Sequence, residues 1–199
     1  MKPYTRADAE ADMADAIGQH DMNRALRAAA HLDAMGPVPL AGLLASALWY
    51  AEHDLPVFPL QPHGKVPFPR THGVKDATTD AAQVAAWWSK SPEANIGIAT
   101  GHLVDVIDFD GPAAHAGWGR QYGERWAEAG VVVLGTVSTP RSGGLHVYVP
   151  PTGKGNLAGA GDLEGVDFRG LGGYVVAPPS FTLHGQYRWL RPLDLGAVE

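Results

Sequence analysis

Apolar positions first recur at helical spacing, then at strand spacing, along this chain. In the alanine- and charge-rich stretch 6–35, Thr5 is placed to cap a helix that carries Met13 and Ile17 inward. Asp21 is placed to cap a second with Leu26 and Leu32 inward, and Gly36-Pro37 ends it, because proline disfavours helix in the residue before it. A helical N-terminal extension over 1–38 is therefore predicted, readable as a docking arm or as a packed extension with no role of its own. From Pro39 to His53, Leu40, Leu43, Leu44, Ala47 and Leu48 form the stripe of a further helix, with Trp49 and Tyr50 assigned to the core. Asp80 with Gln83 has the form of a capping box ahead of a helix that carries Val84, Trp87 and Trp88 and stops before Ser91-Pro92.

Between and after these, short apolar runs predict strands. Leu55–Leu60 reads as a short edge strand, because its prolines cannot sit in the centre of a sheet. Ala94–Gly101 reads as a strand joined by a hairpin to the run Val104–Asp110. Trp118–Ala129 fits an amphipathic helix, Val131–Val137 a strongly apolar strand, and Leu145–Val149 a strand with His146 and Tyr148 on one face. Residues 151–165 are glycine-rich and predicted to be mobile; Gly165–Gly170, Tyr174–Ala177 and Gln186–Leu190 complete the strands. Residues 39–199 are assigned to one domain.

Composition narrows the function classes. Hydrophobic residues make up 45% of 199, enough for a core, while Gly 25 and Pro 16 fit many turns between short elements. Cys 0 excludes disulfides and cysteine-ligated zinc or iron–sulfur sites and fits a reducing, cytoplasmic setting. The net charge of −6 argues against a broad basic face coating nucleic acid, but leaves room for a local basic groove. No secretory signal or membrane span is read. Phosphate-loop, zinc-protease and nucleophile-elbow motifs are missing from the sequence.

The chemistry gathers around Val104–Asp110. Successive strand side chains alternate between faces, so Val106, Asp108 and Asp110 share one face while Ile107 and Phe109 share the other. Two carboxylates so placed repel, and a divalent cation is the usual remedy; an exposed edge strand is the other reading. Asp105 lies on the opposite face and is left out of the candidate site. The turn Ser138–Gly144 holds Arg141, Ser142, Gly143 and Gly144, which can offer backbone N–H groups and a charged fork to phosphate, with His146 just beyond; a plain hairpin turn is the alternative. Asp167 and Arg169 share a strand face, the arginine either contacting phosphate or bracing the aspartate. The irregular stretch Gln61–Lys75 carries His63, Lys65, Arg70, His72 and Lys75, a functional loop or a solvated one, with Lys65 a candidate for nucleotide or template contact. Its histidines lack a partner set at metal-ligand spacing, and no zinc is expected.

In order, these blocks resemble the bifunctional DNA primase/polymerase N-terminal domain of the archaeo-eukaryotic primase superfamily, from about Leu43 to Leu190. The resemblance rests on Val57-Phe58-Pro59-Leu60 with Gly64-Lys65, Lys75–Asp80 with Trp87-Trp88, and Asn95–Gly101. It continues through Val106–Asp110, Ser142-Gly143-Gly144-Leu145-His146, Val166-Asp167, and Gly172-Gly173-Tyr174 to Pro178-Pro179-Ser180. It implies an α+β fold whose RRM-like antiparallel sheet carries the acids, and template-directed nucleotidyl transfer with Mg²⁺ or Mn²⁺. Asp108, Asp110 and Asp167 would hold the metals, and Ser142 and His146 the incoming triphosphate. A primase or primer-extending polymerase of a plasmid, phage or other mobile element would use a single-stranded DNA template, a primer, NTP or dNTP substrates and a separate helicase. Alternatives are a non-catalytic nucleotide- or DNA-binding replication module that recruits such a helicase, and a nucleotidyltransferase or phosphohydrolase that uses no template.

Overall fold

The computed structural model describes residues 42–141, 143–160 and 163–198. The predicted extension 1–38 and Leu40 lie outside the described residues. Three helices are present among the described residues: α1 (Leu43–Glu52), α2 (Ala81–Lys90) and α3 (Pro112–Glu128). The strands fall into two main antiparallel sheets and a small hairpin, a mixed α+β arrangement.

The first sheet has the order β1-β2-β7, built from β1 (Val57–Leu60), β2 (Asn95–Ala99) and β7 (Tyr174–Ala177). β1 takes the edge, as Pro59 requires. The second has the order β10-β4-β5-β3-β6, from β3 (Asp105–Phe109), β4 (Gly135–Ser138), β5 (Leu145–Val149), β6 (Val166–Arg169) and β10 (Arg188–Arg191). β8 (Phe181–Thr182) and β9 (Gly185–Gln186) form the hairpin.

The main core joins α1, α2, the first sheet and one face of the second, and includes Trp88, Phe58, Ile96, Val106, Val137 and Tyr148. Burial of each large apolar side chain contributes about 1.5–3 kcal/mol. Trp88 also donates its indole N–H to the Ala94 carbonyl at 2.9 Å, so its polar atom is satisfied in the core. A smaller cluster under α3 holds Ile107, Phe109, Leu145 and Val166, on the opposite face of the second sheet. Among the described residues, no helix is long and apolar enough to cross a membrane.

Several sequence expectations are corrected. β2 and β3 are not a hairpin: β2 is flanked on both sides by β1 and β7, and the chain crosses at Gly101 to the other sheet. The strand expected over Val131–Val137 is confined to Gly135–Ser138, and α3 begins six residues early because Pro112 is suited to the first turn of a helix. Trp49 is 40% exposed and stacks on His53, whereas Tyr50 is buried as expected. Asp80 caps α2 through the Ala82 N–H, but its own N–H goes to Thr78 Oγ1, leaving no reciprocal role for Gln83. The glycine-rich run expected to be mobile is tied down where it is described, with Gly155 bridged to Leu171 and Leu157 to Phe168.

Candidate active site

The second sheet assembles the site by register. Asp108 on β3 stands opposite His146 on β5 and opposite Asp167 on β6. Directly paired residues in antiparallel strands point to the same face, about 4.5–5.5 Å apart at Cβ. One row across three strands therefore carries two carboxylates and an imidazole. Deeper along the same face Val106 and Tyr148 enter the core, as does Val137 opposite His146 on β4, and these anchor the row. Asp110 follows just beyond β3, and its N–H donates to the Gly165 carbonyl at 2.7 Å.

Two of the three acids are neutralised locally. Arg141 Nη1 lies 2.7 Å from Asp110 Oδ1, and Arg169 Nη2 donates to Asp167 Oδ2 at 2.7 Å. The Gly159 N–H adds a bond to Asp167 Oδ1 at 3.1 Å. Asp108 differs: its carboxylate accepts no hydrogen bond among the described residues, and His146 Nε2 stands 3.6 Å from its Oδ1. Burial, then repulsion from Asp110, pushes the Asp108 carboxyl up to about 6; Asp167 adds to the rise, while Arg169 and Lys65 oppose it. His146 is driven down to about 3, first by burial and then by the Lys65 and Arg169 charges. The ring is therefore neutral near pH 7, and the 3.6 Å approach is neither an ion pair nor a hydrogen bond. Its Nδ1 is buried without a partner among the described residues.

These groups open into a cleft of about 430 Å³ between the two sheets. One wall is polar and comes from the second sheet and its loops: Asp108, Asp110, Asp167, His146, Arg141 and Arg169. The other comes from β7 and its neighbours and is largely apolar: Val74, Tyr174, Val175, Val176 and Tyr187. Lys65 reaches in from its loop, its Nζ 5.8 Å from the centre of the Tyr187 ring, which itself lies 5.6 Å from the His146 ring.

The structure thus gathers Asp108, Asp110, Asp167, His146, Arg141, Arg169 and Lys65 around one cavity. Gly143 and Gly144 form the β4–β5 turn beside it, Gly143 at a φ of 69° and Gly144 donating to the Arg141 carbonyl at 2.9 Å. Ser142 lies outside the described residues. Asp105 points away, as expected, and accepts from the Thr152 N–H and hydroxyl at 2.7 Å each. Tyr187, Tyr174, Asn156 and Thr139 also line the cleft and carry no motif that singles them out. Among the described residues, no three histidine or acidic side chains are gathered closely enough to hold a metal ion as they stand.

A comparison with curated proteins returns no match. The sequence model of the family described as bifunctional DNA primase/polymerase, N-terminal, matches residues 47–197. That span contains every residue of the cleft described above and most of the chain, so this protein belongs to the bifunctional DNA primase/polymerase N-terminal family.

Proposed function

We propose that the cleft performs template-directed nucleotidyl transfer, as a DNA primase or primer-extending DNA polymerase, in the replication of a plasmid, phage or other mobile element. The observation that carries the reading is the row Asp167–Asp108–His146 with Asp110 beside it, gathered with two arginines and a lysine around one cavity. The RRM-like primase fold is the corresponding reading of the acid-bearing sheet.

The donor set fits a divalent metal. Three carboxylates supply hard oxygen ligands, and Asp108 carries a charge that neither a hydrogen bond nor an ion pair relieves. Asp108, Asp110 and Asp167 would hold Mg²⁺ or Mn²⁺. Bound there, the metal would activate the primer 3′-hydroxyl and neutralise charge on the leaving pyrophosphate. In the reaction, that hydroxyl oxygen bonds to the α-phosphorus of the nucleotide, the bond to the bridging oxygen breaks, and the hydroxyl proton is released. The chain's own residues do the positioning. Arg141 and Arg169 exchange their aspartates for phosphate oxygens, so substrate entry swaps one set of opposite charges for another. The neutral His146 ring offers a hydrogen bond without adding charge, and Ser142 with the Gly143-Gly144 turn completes the triphosphate contacts. The apolar wall at Val74 and Tyr174 receives the base.

The test is extension of a labelled primer on a template with Mg²⁺ or Mn²⁺, comparing the parent with Asp108→Ala. Metal-dependent ladders that vanish in the variant support the reading, and product that persists in the variant overturns the site. The pairing of Asp110 and Asp167 with arginines favours a second reading, a non-catalytic nucleotide- or DNA-binding module that recruits a separate helicase. Nucleotide binding without any ladder would select it.

A further inference from the structure

The loop from Gln61 to Asp76 lacks regular structure over most of its length, yet it is closely pinned. The Gln61 N–H donates to the Val66 carbonyl at 2.9 Å, its side chain to the Pro67 carbonyl at 2.9 Å, and the Gly64 N–H returns to the Gln61 carbonyl at 3.0 Å. Two anchors tie the loop to the body. Asn95, 1% exposed, donates its amide to the Gly64 carbonyl at 2.8 Å, and the Tyr174 hydroxyl donates to the Lys65 carbonyl at 3.1 Å. Asn95 also exchanges hydrogen bonds with Phe181 at 2.7 and 2.9 Å, so one buried amide joins the loop to the start of β8. Farther along, Thr71 Oγ1 donates to the Phe68 carbonyl at 2.8 Å. Pro62, Pro67 and Pro69 remove further freedom.

The charge on this loop is unbalanced. Lys65, Arg70 and Lys75 form no ion pair among the described residues. The loop's own acid, Asp76, is taken by His72, whose N–H and ring approach it at 2.8 and 2.9 Å. In a chain of net charge −6, three cations without an ion pair give one fixed loop a local positive field suited to a partner of opposite sign. Lys65 and Val74 both line the cleft, so the loop borders it at two points, while Arg70 and Lys75 stand in solvent beyond it. A mononucleotide would be served by the cations inside the cleft. A partner that also uses Arg70 and Lys75 has to be longer.

We propose that this loop is a preorganised clamp for the phosphate backbone of single-stranded nucleic acid, with Arg70 and Lys75 as its contacts outside the cleft and Asn95 as the residue that fixes it in place. The inference rests on the reading of the cleft as template-directed. Because the loop is already ordered, binding costs little further entropy.

The test is the salt dependence of binding of a fluorescent single-stranded oligonucleotide to the full 199-residue chain, by anisotropy, without nucleotide or divalent metal. Each lost phosphate contact reduces the log–log salt slope by about 0.7. The Arg70→Ala/Lys75→Ala double variant is expected to lose about 1.4 from the slope and about 25-fold in affinity near 0.1 M salt, with the gap closing toward about 1 M. The pair Arg120→Ala/Arg125→Ala on α3, which removes the same charge from the far side of the second sheet, is expected to keep the parental slope. A double variant with the parental slope, or a control pair that loses as much, overturns the proposal. A parent that binds nucleotide but no strand overturns this inference alone. A parent that binds neither overturns the reading of the cleft as well.

Discussion

Replacing Asp108 with asparagine should stabilise the metal-free protein while destroying the chemistry proposed for the cleft. The folded chain holds the Asp108 carboxyl at about 6 against an ordinary value of 3.8. At about 1.4 kcal/mol per pH unit, keeping this group ionised in the fold costs on the order of 3 kcal/mol at neutral pH. The sign follows from proton uptake. Between the two values the folded protein binds the proton and the unfolded chain has released it, so stability falls as pH rises from 3.8 toward about 6 and stays low above it. Asparagine has nearly the same shape and no charge. The Asp108→Asn variant should therefore match the parent near pH ~4 and exceed it by up to about 3 kcal/mol above pH ~7, equivalent to about 6–12 °C in Tm for a domain of this size. Denaturant melts of both proteins with a chelator present, across that pH range, measure the difference. Adding Mn²⁺ should raise the parent and leave the variant unmoved, because a ligand stabilises only the state that binds it. A gain that does not depend on pH, or a parent more stable than its variant at neutral pH, would refute the account of an unrelieved charge in the cleft.

Arg141→Ala should weaken nucleotide binding by about 10- to 100-fold through loss of a charge-assisted phosphate contact, read by calorimetry. Its effect on stability should stay within about 0.5 kcal/mol, because its pair with Asp110 is more than half exposed on both sides. Asn95→Ala leaves the Gly64 carbonyl and both Phe181 backbone groups without their amide partner and should cost at least about 3 kcal/mol in a denaturant melt. Tyr148→Phe should be neutral or stabilising by up to about 1 kcal/mol, since the Tyr148 hydroxyl is buried with no hydrogen-bond partner among the described residues; a loss above that size would reveal a partner for it.

The acid-bearing face was legible in the sequence because strand periodicity leaves little choice. Once Val106, Asp108 and Asp110 alternate with Ile107 and Phe109, one set must face the core beneath α3 and the other the cleft. Arg169 beside Asp167 was legible for the same reason, as i and i+2 on one strand. The pair Arg141–Asp110 was not, since it forms only when the β4–β5 turn folds back beside the end of β3. The split into two sheets was hidden as well. A short Gly-containing link between two apolar runs looks like a hairpin, and only the pairing of β2 with β1 and β7 shows that both its edges are taken. Tyr187 gave no local signal, because its place against His146 depends on the last strands returning to the cleft. Trp49 misled for a simple reason: an indole at helical spacing suggests core, yet α1 turns that side outward.

The two walls of the cleft come from different sheets, and this separates what can vary from what cannot. Asp108, Asp167 and His146 are spaced by the ladder of a single sheet, a ruler of about 4.8 Å per strand set by backbone hydrogen bonds. Tyr174, Val175 and Val176 stand on a sheet with its own ladder. Exchanging side chains along β7 reshapes the space opposite the acids without shifting the acids against one another. An architecture of this kind lets the wall on β7 be reshaped while the row of acids holds its dimensions.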